Sequence, residues 1–235
     1  MSAPYFYFPG LDPAQPTSTL DEESSKHIIQ VLRMKVGEEL RITDGKGNLS
    51  LSVIRDPNKK KCMVSHESFD HQNPPKRKIT IAISLIKNNT RFEWFLEKAT
   101  EIGISEIFPL ICERTEKREL RTERMKSILI SAMLQSQQSW LPEIKEPTMF
   151  RNALEIFRHQ QKFIAYVSDD HEAHLSDLIN SNLTSQIVLI GPEGDFTSEE
   201  IDLAMLYNFL PASLGPNRLR TETAGLVALT LLHAE

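Results

Sequence analysis

Two hydrophobic periods divide the chain. Between Leu40 and Phe69 apolar residues alternate with polar ones in short runs, Leu40-Arg41-Ile42 and Leu49-Ser50-Leu51-Ser52-Val53, on either side of Asp44-Gly45-Lys46-Gly47-Asn48. Period-two runs flanking a glycine-bearing turn predict a β-hairpin. Short strands at residues 5–8 and 62–64 and a brief helix over 27–33 complete a small β-rich unit, a partly closed barrel. Asn73-Pro74-Pro75 ends it. Two prolines remove backbone donors and stiffen the chain, which sets domains at 1–74 and 75–235.

From Ile79 the period changes. A strand over 79–84 is followed by a helix whose apolar residues Phe92, Phe95, Leu96, Ala99 and Ile102 share one face, and Gly103 stops it. Strands over 107–111, 163–167, 187–190 and 211–214 then alternate with helices near 122–136, 149–159 and 224–232. Strand and helix in alternation imply a mostly parallel sheet covered on both faces. Ligands of such sheets bind outside the carboxyl ends of the strands.

Composition narrows the class. The 235 residues are 40% hydrophobic and 25% charged, enough apolar material for a sizeable core. No apolar run approaches the roughly 18 residues that span a bilayer. The start, MSAPYFYFPG, has neither a basic nor an apolar leader region, so a cytoplasmic protein is expected, with no membrane partner. Cys62 and Cys112 lack zinc-site spacing and read as reduced thiols. The Asp169-Asp170-His171-Glu172-Ala173-His174 stretch reads as a solvated loop, and no metal is expected. Net charge is −5, against bulk electrostatic coating of nucleic acid, yet residues 26–61 hold nine Lys or Arg against four acids. That segment is either a basic patch or a solvated face neutralised by Asp21, Glu22 and Glu23.

Two late loops carry the candidate chemistry. Gly191-Pro192-Glu193-Gly194-Asp195-Phe196 follows the strand over 187–190. Thr197 with Glu200 has capping-box spacing, and Phe196 with Ile201 fits a hydrophobic staple, so a helix begins there and presents its amides to the loop. The second loop, Leu214-Gly215-Pro216-Asn217-Arg218-Leu219-Arg220-Thr221-Glu222-Thr223, leads into a helix that is apolar nearly all round and therefore buried. Burial would carry Arg218, Arg220 and Glu222 toward the interior, where charges need partners or a ligand. The plainer alternative is structural: Glu222 complements the helix dipole and pairs with Arg220.

GPEGDF at 191–196 together with LGPNRLRTETA at 214–224 resembles the paired signature loops of the RsmE family, SPOUT-class methyltransferases of the uridine N3 position in small-subunit ribosomal RNA. The likeness extends upstream. His27-Ile28-Ile29-Gln30-Val31-Leu32-Arg33-Met34 with Gly37 and Asp44-Gly45 is similar to that family's PUA-like RNA-binding domain. Glu97-Lys98-Ala99-Thr100-Glu101-Ile102-Gly103-Ile104 with Pro109 and Glu113-Arg114-Thr115 is similar to its next block. Two departures stand out. Leu134 and Gln138 occupy positions where the family has Glu and Arg ahead of Pro142, and Asp195 stands where many members have Gly.

The resemblance implies an α/β fold with a C-terminal SPOUT-type knotted parallel sheet and an N-terminal PUA-like β-barrel, assembled as a homodimer acting on 16S rRNA or the small ribosomal subunit. S-adenosyl-L-methionine would be held around Leu189, Gly191, Glu193, Gly194, Leu214, Gly215, Leu219 and Thr223. RNA would be met by His27, Arg33, Lys35, Lys59, Lys60, Lys61 and Arg114. Uridine N3 carries a proton at neutral pH, so the reaction calls for an acceptor and a nearby cation, assigned to Glu222 and Arg220. Two readings compete: a SPOUT enzyme for transfer RNA or another ribosomal base, and a non-catalytic RNA-binding or assembly factor, which has no need to hold the cofactor tightly.

Overall fold

One carboxylate organises the hairpin turn. Asp44 Oδ1 accepts from the backbone N–H of Lys46 at 2.7 Å and of Asn48 at 3.2 Å, and Oδ2 accepts from the Asn48 side chain at 2.6 Å. With both oxygens satisfied, the strands on either side, β3 (Glu39–Thr43) and β4 (Asn48–Asp56), pair antiparallel from Thr43 opposite Leu49 outward. The computed structural model describes residues 3–166 and 173–234. They form two units, one of residues 1–74 with 130–141 and the other of residues 75–129 with 142–235.

In the first unit, β1 (Tyr5–Tyr7), β2 (Thr17–Thr19) and β5 (Met63–His71) join the hairpin in the order β1-β3-β4-β5-β2. Only β1 with β3 runs parallel. The last strand is longer than the sequence predicts. Its second half, His66 to His71, lacks apolar alternation and is carried by backbone pairing to β4. Phe6, Leu20, Ile28, Leu40, Ile42, Ile54 and Val64 fill the core of this sheet.

The predicted helix over 27–33 begins earlier, as α1 (Glu22–Lys26), because the Asp21 side chain caps the Ser24 N–H at 2.8 Å. It continues as a π-helical turn, His27–Val31, with Leu32 N–H donating to the His27 carbonyl. The widened turn buries Ile28 but leaves Val31, Leu32 and Val36 at 68%, 43% and 58% exposure beside Arg33 and Lys35.

Residues 139–141 lie along the hairpin turn: the Gly47 N–H donates to the Ser139 carbonyl, and the Leu141 N–H to that of Gly45. Gly47 has φ +91°, and a Cβ there would fall 2.6 Å from the Gln72 carbonyl and 2.7 Å from the Trp140 ring. No side chain fits this position.

The second unit is an all-parallel sheet. Its strands are β6 (Lys78–Ser84), β7 (Glu106–Ile111), β8 (Glu143–Ile144), β9 (Thr148–Met149), β10 (Gln161–Ala165), β11 (Ser185–Ile190) and β12 (Leu210–Ala212). They lie in the order β12-β10-β11-β6-β7-β8, with β9 also on β7. On one face α2 (Asn89–Ile102) and α7 (Thr221–Ala234) pack together. A Cβ on Gly225 of α7 would come 2.7 Å from the Phe95 ring of α2, so glycine is what lets the helices meet. The other face carries α4 (Phe150–Ile156) and α6 (Ser198–Leu206) over Phe108, Leu154, Phe157 and Phe209. The fourteen-residue α3 (Thr122–Gln135) and the short α5 (Leu175–Leu178) complete the set.

Gly103 ends α2 in the left-handed conformation, as its position suggests. No helix among the described residues is long and apolar enough to cross a membrane. Of the carboxylate and histidine stretch, residues 169–172 lie outside the described residues, and His174 is bonded to the Ser176 hydroxyl.

At the amino-terminal end of this sheet Glu106 is buried but well served. Lys78 reaches its Oε2 at 2.8 Å, and the Thr80 hydroxyl donates to Oε1 at 3.1 Å. With its proton committed to Glu106, Thr80 must accept from His159 Nε2–H at 2.9 Å, which leaves His159 Nδ1 buried with no partner. Burial pushes the imidazole down to about 4, outweighing the pull of Glu106 toward the charged form.

Two predictions follow from these contacts. Gly47→Ala should lower stability by at least about 1–2 kcal/mol, since a left-handed backbone and two close contacts oppose the methyl group, and denaturant titration of the folded chain reads it. The His159 ring is neutral when folded and titrates near 6.5 when unfolded, so its contribution to stability is full above that pH and is lost as pH falls from about 6.5 toward about 4. Melting temperature should drop through that window, and His159→Leu should remove this part of the drop.

Candidate active site

A parallel sheet gathers the carboxyl ends of its strands on one edge, and four of those ends supply the site. The first loop leaves β11 at Gly191. A Cβ on Gly191 would stand 3.1 Å from the Phe196 ring and 3.2 Å from the Phe196 nitrogen, so the loop folds back tightly on its own aromatic residue. Asp195 is left-handed at φ +62°, a conformation Asp tolerates better than most residues, and its Oδ1 accepts from the Phe196 N–H at 2.8 Å. That accounts for an aspartate at a position where the family resemblance leads one to expect glycine in many members. The capping box expected at Thr197 and Glu200 is formed in both directions, and it starts α6.

The loop is clamped from β7. Glu200 Oε1 also accepts from the Glu113 backbone at 2.9 Å, while Arg114 donates through Nη1 to the Gly194 carbonyl at 2.6 Å and lies farther, 3.4 Å, from that of Phe196. Arg114 packs so closely that a Cβ on Gly194 would be 3.3 Å from its Cδ. The sequence places Arg114 among RNA contacts; in the folded chain its guanidinium is committed to the glycine loop. Ser84, Thr115 and Cys112 hold the base of this turn, with the Thr115 hydroxyl 2.8 Å from that of Ser84 and accepting from the Cys112 N–H at 2.8 Å. Burial drives the Cys112 thiol far above its ordinary range, so it is no nucleophile.

The second loop leaves β12. Gly215 has φ +120° and open space where a side chain would stand. From there the chain reaches α7, which begins at Thr221, three residues before the sequence suggests. The Thr221 hydroxyl donates to the Gly191 carbonyl at 3.0 Å and so ties the start of α7 to the first loop. Because the helix starts early, Glu222 falls in its first turn and is buried. Arg218 and Arg220 precede the helix and stay exposed, against the expectation that all three charges turn inward.

The partner of Glu222 is one that sequence reasoning missed. Arg91 Nε of α2 stands 3.6 Å from Glu222 Oε1, and Arg91 Nη1 is 3.1 Å from Oε1 of Glu193 in the first loop. Arg220 forms no ion pair among the described residues, so the Arg220–Glu222 pairing considered from sequence is replaced by Arg91–Glu222. A signal was present. Asn88 caps α2 through the Thr90 N–H, which puts Arg91 in the first turn, where the helix dipole opposes a cation unless an acid faces it. Glu222 Oε2 is buried and has no hydrogen-bond partner among the described residues.

The residues expected around the cofactor therefore surround one loop pair. Leu189 is fully buried in β11, and Gly191 is buried behind it. Glu193 and Gly194 are exposed, and Leu214, Gly215, Leu219 and Thr223 are half-buried. His27, Arg33, Lys35, Lys59, Lys60 and Lys61 lie on the surface of the first unit. The acids suspected of neutralising them are engaged locally, Asp21 in capping α1 and Glu22 with Lys26 at 2.8 Å.

Residues 72–233 match the RNA methyltransferase domain family, and residues 20–65 match the RNA methyltransferase PUA domain family. A ribosomal RNA small subunit methyltransferase E of Synechocystis is 32% identical, with 93% of this chain and 73% of that one covered. The crystal structure of a probable rRNA-methyltransferase from Porphyromonas gingivalis superposes with a TM-score of 0.90 at 39% identity, over 98% of this chain and 97% of that one. A ribosomal RNA small subunit methyltransferase E from Neisseria gonorrhoeae, bound to S-adenosyl methionine, gives 0.90 at 28% identity over 99% and 98%. With both family matches in order along the chain, and with a relative 32% identical over most of both chains, the protein belongs to the ribosomal RNA small subunit methyltransferase E family.

Proposed function

We propose that this protein methylates the N3 position of a uridine in small-subunit (16S) ribosomal RNA, using S-adenosyl-L-methionine. The observation that carries the reading is the buried, half-satisfied carboxylate of Glu222 at the meeting point of two glycine loops. The loops suit the cofactor. Gly215 leaves open space at the end of β12, Gly191 sits buried at the end of β11 behind it, and Leu214 and Leu219 offer apolar surface for an adenine ring over the buried Leu189, with Glu193, Gly194 and Thr223 as further candidate contacts. When bound, S-adenosylmethionine supplies an electrophilic methyl group, and no metal is needed.

The chain's own part is to orient the base and move one proton. Uridine N3–H is a donor, and Glu222 Oε2 is a buried acceptor that lacks one among the described residues, so proton transfer from N3 to that oxygen requires the site to open around Glu222 as the base enters. Arg220, exposed and free of carboxylates, is placed to meet RNA phosphate or the negative charge that spreads over the uracil carbonyls. The first unit supplies affinity. Arg33, Lys35, Lys59, Lys60 and Lys61 are exposed and form no ion pairs among the described residues; Arg33 and Lys35 neighbour the exposed Val31, Leu32 and Val36 in sequence, and His27 lies on the preceding π-helical turn. Residues 75–235 carry an excess of negative charge, whereas the segment 26–61 has a local excess of cations, nine Lys or Arg against four acids, which favours it as the place where phosphates are met. The family resemblance implies a knotted, homodimeric form working in the cytoplasm.

Methylated uridines mapped in 16S rRNA incubated with the protein and cofactor test the assignment. Wild type should mark one N3 position. Glu222→Gln and Arg220→Ala should each lower single-turnover rate by about tenfold or more while cofactor affinity holds. Full rate in both variants would move the catalytic pair elsewhere, and methylation at another base would overturn the substrate. Charge reversal at Arg33, Lys35 and Lys59 to Lys61 should weaken RNA binding and flatten its dependence on salt, with cofactor affinity retained. An unaltered salt slope would mean that these cations are only a solvated face.

A further inference from the structure

We infer that Arg91 is a positioning residue for the transfer step: it holds Glu222 through Oε1 so that the buried Oε2 is left as the unpartnered acceptor. The inference rests on the reading of Glu222 given above. Arg91 touches two carboxylates, and the shorter contact is not the consequential one. Its pairing with Glu193 joins side chains that are 35% and 48% exposed, and surface pairs of this kind contribute little. Glu222 is only 7% exposed, so its charge has lost most of its water and depends on a fixed cation nearby. At 3.6 Å, Nε supplies charge without a full hydrogen bond, and Oε2 keeps its lone pairs.

The local build is consistent with a cation held against its own preference. Arg91 lies in the first turn of α2, where the helix dipole disfavours it, and Lys87 nearby adds like charge while pairing with Glu116 at 2.7 Å. Two acids facing Arg91 offset that cost. The contact between Gly225 and Phe95 brings α7 against α2 closely enough for one guanidinium to span the start of α7 and the first loop. Arg91 thereby links the loop that would carry the cofactor to the carboxylate that would take the proton. The bond change is the one already assigned, N3–H to Oε2, and Arg91 gains or loses no proton in it.

The test uses the full-length protein, 16S rRNA and S-adenosylmethionine, with Arg91→Ala, Arg91→Lys, Glu222→Gln, Glu193→Gln and the double variants that combine Arg91→Ala with each acid substitution. Arg91→Ala should reduce single-turnover methylation by about tenfold or more, while cofactor affinity by calorimetry stays within about threefold. Arg91→Lys, which keeps the charge, should recover most of the rate. In the Glu222→Gln background Arg91→Ala should cost nothing further, whereas in the Glu193→Gln background it should cost the same as in wild type. A purely structural Arg91 would instead lower the melting temperature and leave the rate per folded molecule unchanged. That result, or equal losses in both backgrounds, overturns the inference while Glu222 remains the acceptor. Full activity of Glu222→Gln alone would overturn the assignment of Glu222 and the inference with it. Should Arg91→Ala fold poorly, Arg91→Gln carries the same comparison.

Discussion

The bond from the Thr221 hydroxyl to the Gly191 carbonyl decides more of the site than any other contact. It fixes where α7 begins relative to the end of β11. A helix that started at residue 224 would leave Glu222 in a solvated loop. Starting at Thr221 puts Glu222 in the first turn, buried against the sheet edge, with the helix amides favouring its charge. Everything downstream inherits that placement. Gly225 reaches Phe95 one turn later, α2 is drawn against α7, and Arg91 comes within reach of both Glu222 and Glu193.

Local signals in the sequence were reliable wherever a few neighbouring residues decide the outcome. Thr197 and Glu200 specify their own capping box, Gly103 its own helix end, and Asp44 with Gly45 and Gly47 its own turn. The alternation of strands and helices after Pro75 likewise predicts a parallel sheet, because buried parallel strands must be short apolar runs between amphipathic crossovers. What stayed hidden depends on distant partners. The second half of β5 has no pattern of its own and exists because β4 lies beside it. Residues 130–141 join the first unit because Gly45 and Gly47 bond the backbone of Ser139 and Leu141, which no periodicity encodes.

The loops show the same division. Their glycines and the pairing of GPEGDF with LGPNRLRTETA were legible as motifs, and so was the importance of Glu222. Its environment was not. Proximity in sequence suggested Arg220 as its partner, yet residues two apart astride a helix start point in different directions, and Arg220 stays in solvent. Arg114 has a tie that the sequence did not show: it stays exposed, and its Nη1 donates to the Gly194 carbonyl and lies near that of Phe196.

Two buried glutamates at opposite ends of the sheet show how function separates from structure. Glu106 accepts from Lys78 and Thr80, with Lys145 at 3.8 Å, and both its oxygens are engaged. Such a carboxylate is fully committed to holding β6 and β7 together. Glu222 has one cation at 3.6 Å and one oxygen with no hydrogen-bond partner among the described residues. Leaving a buried acceptor unmet costs about 1–3 kcal/mol, more when it is charged, so a site shaped for stability alone would hold an apolar residue or a fully bonded one. Under the proposed reading, the missing donor comes from outside the chain, and the imino group of a uracil is such a donor. The same logic explains the neighbourhood: Arg91 Nε, 3.6 Å from Oε1, offers an opposite charge and stands too far away for a full hydrogen bond.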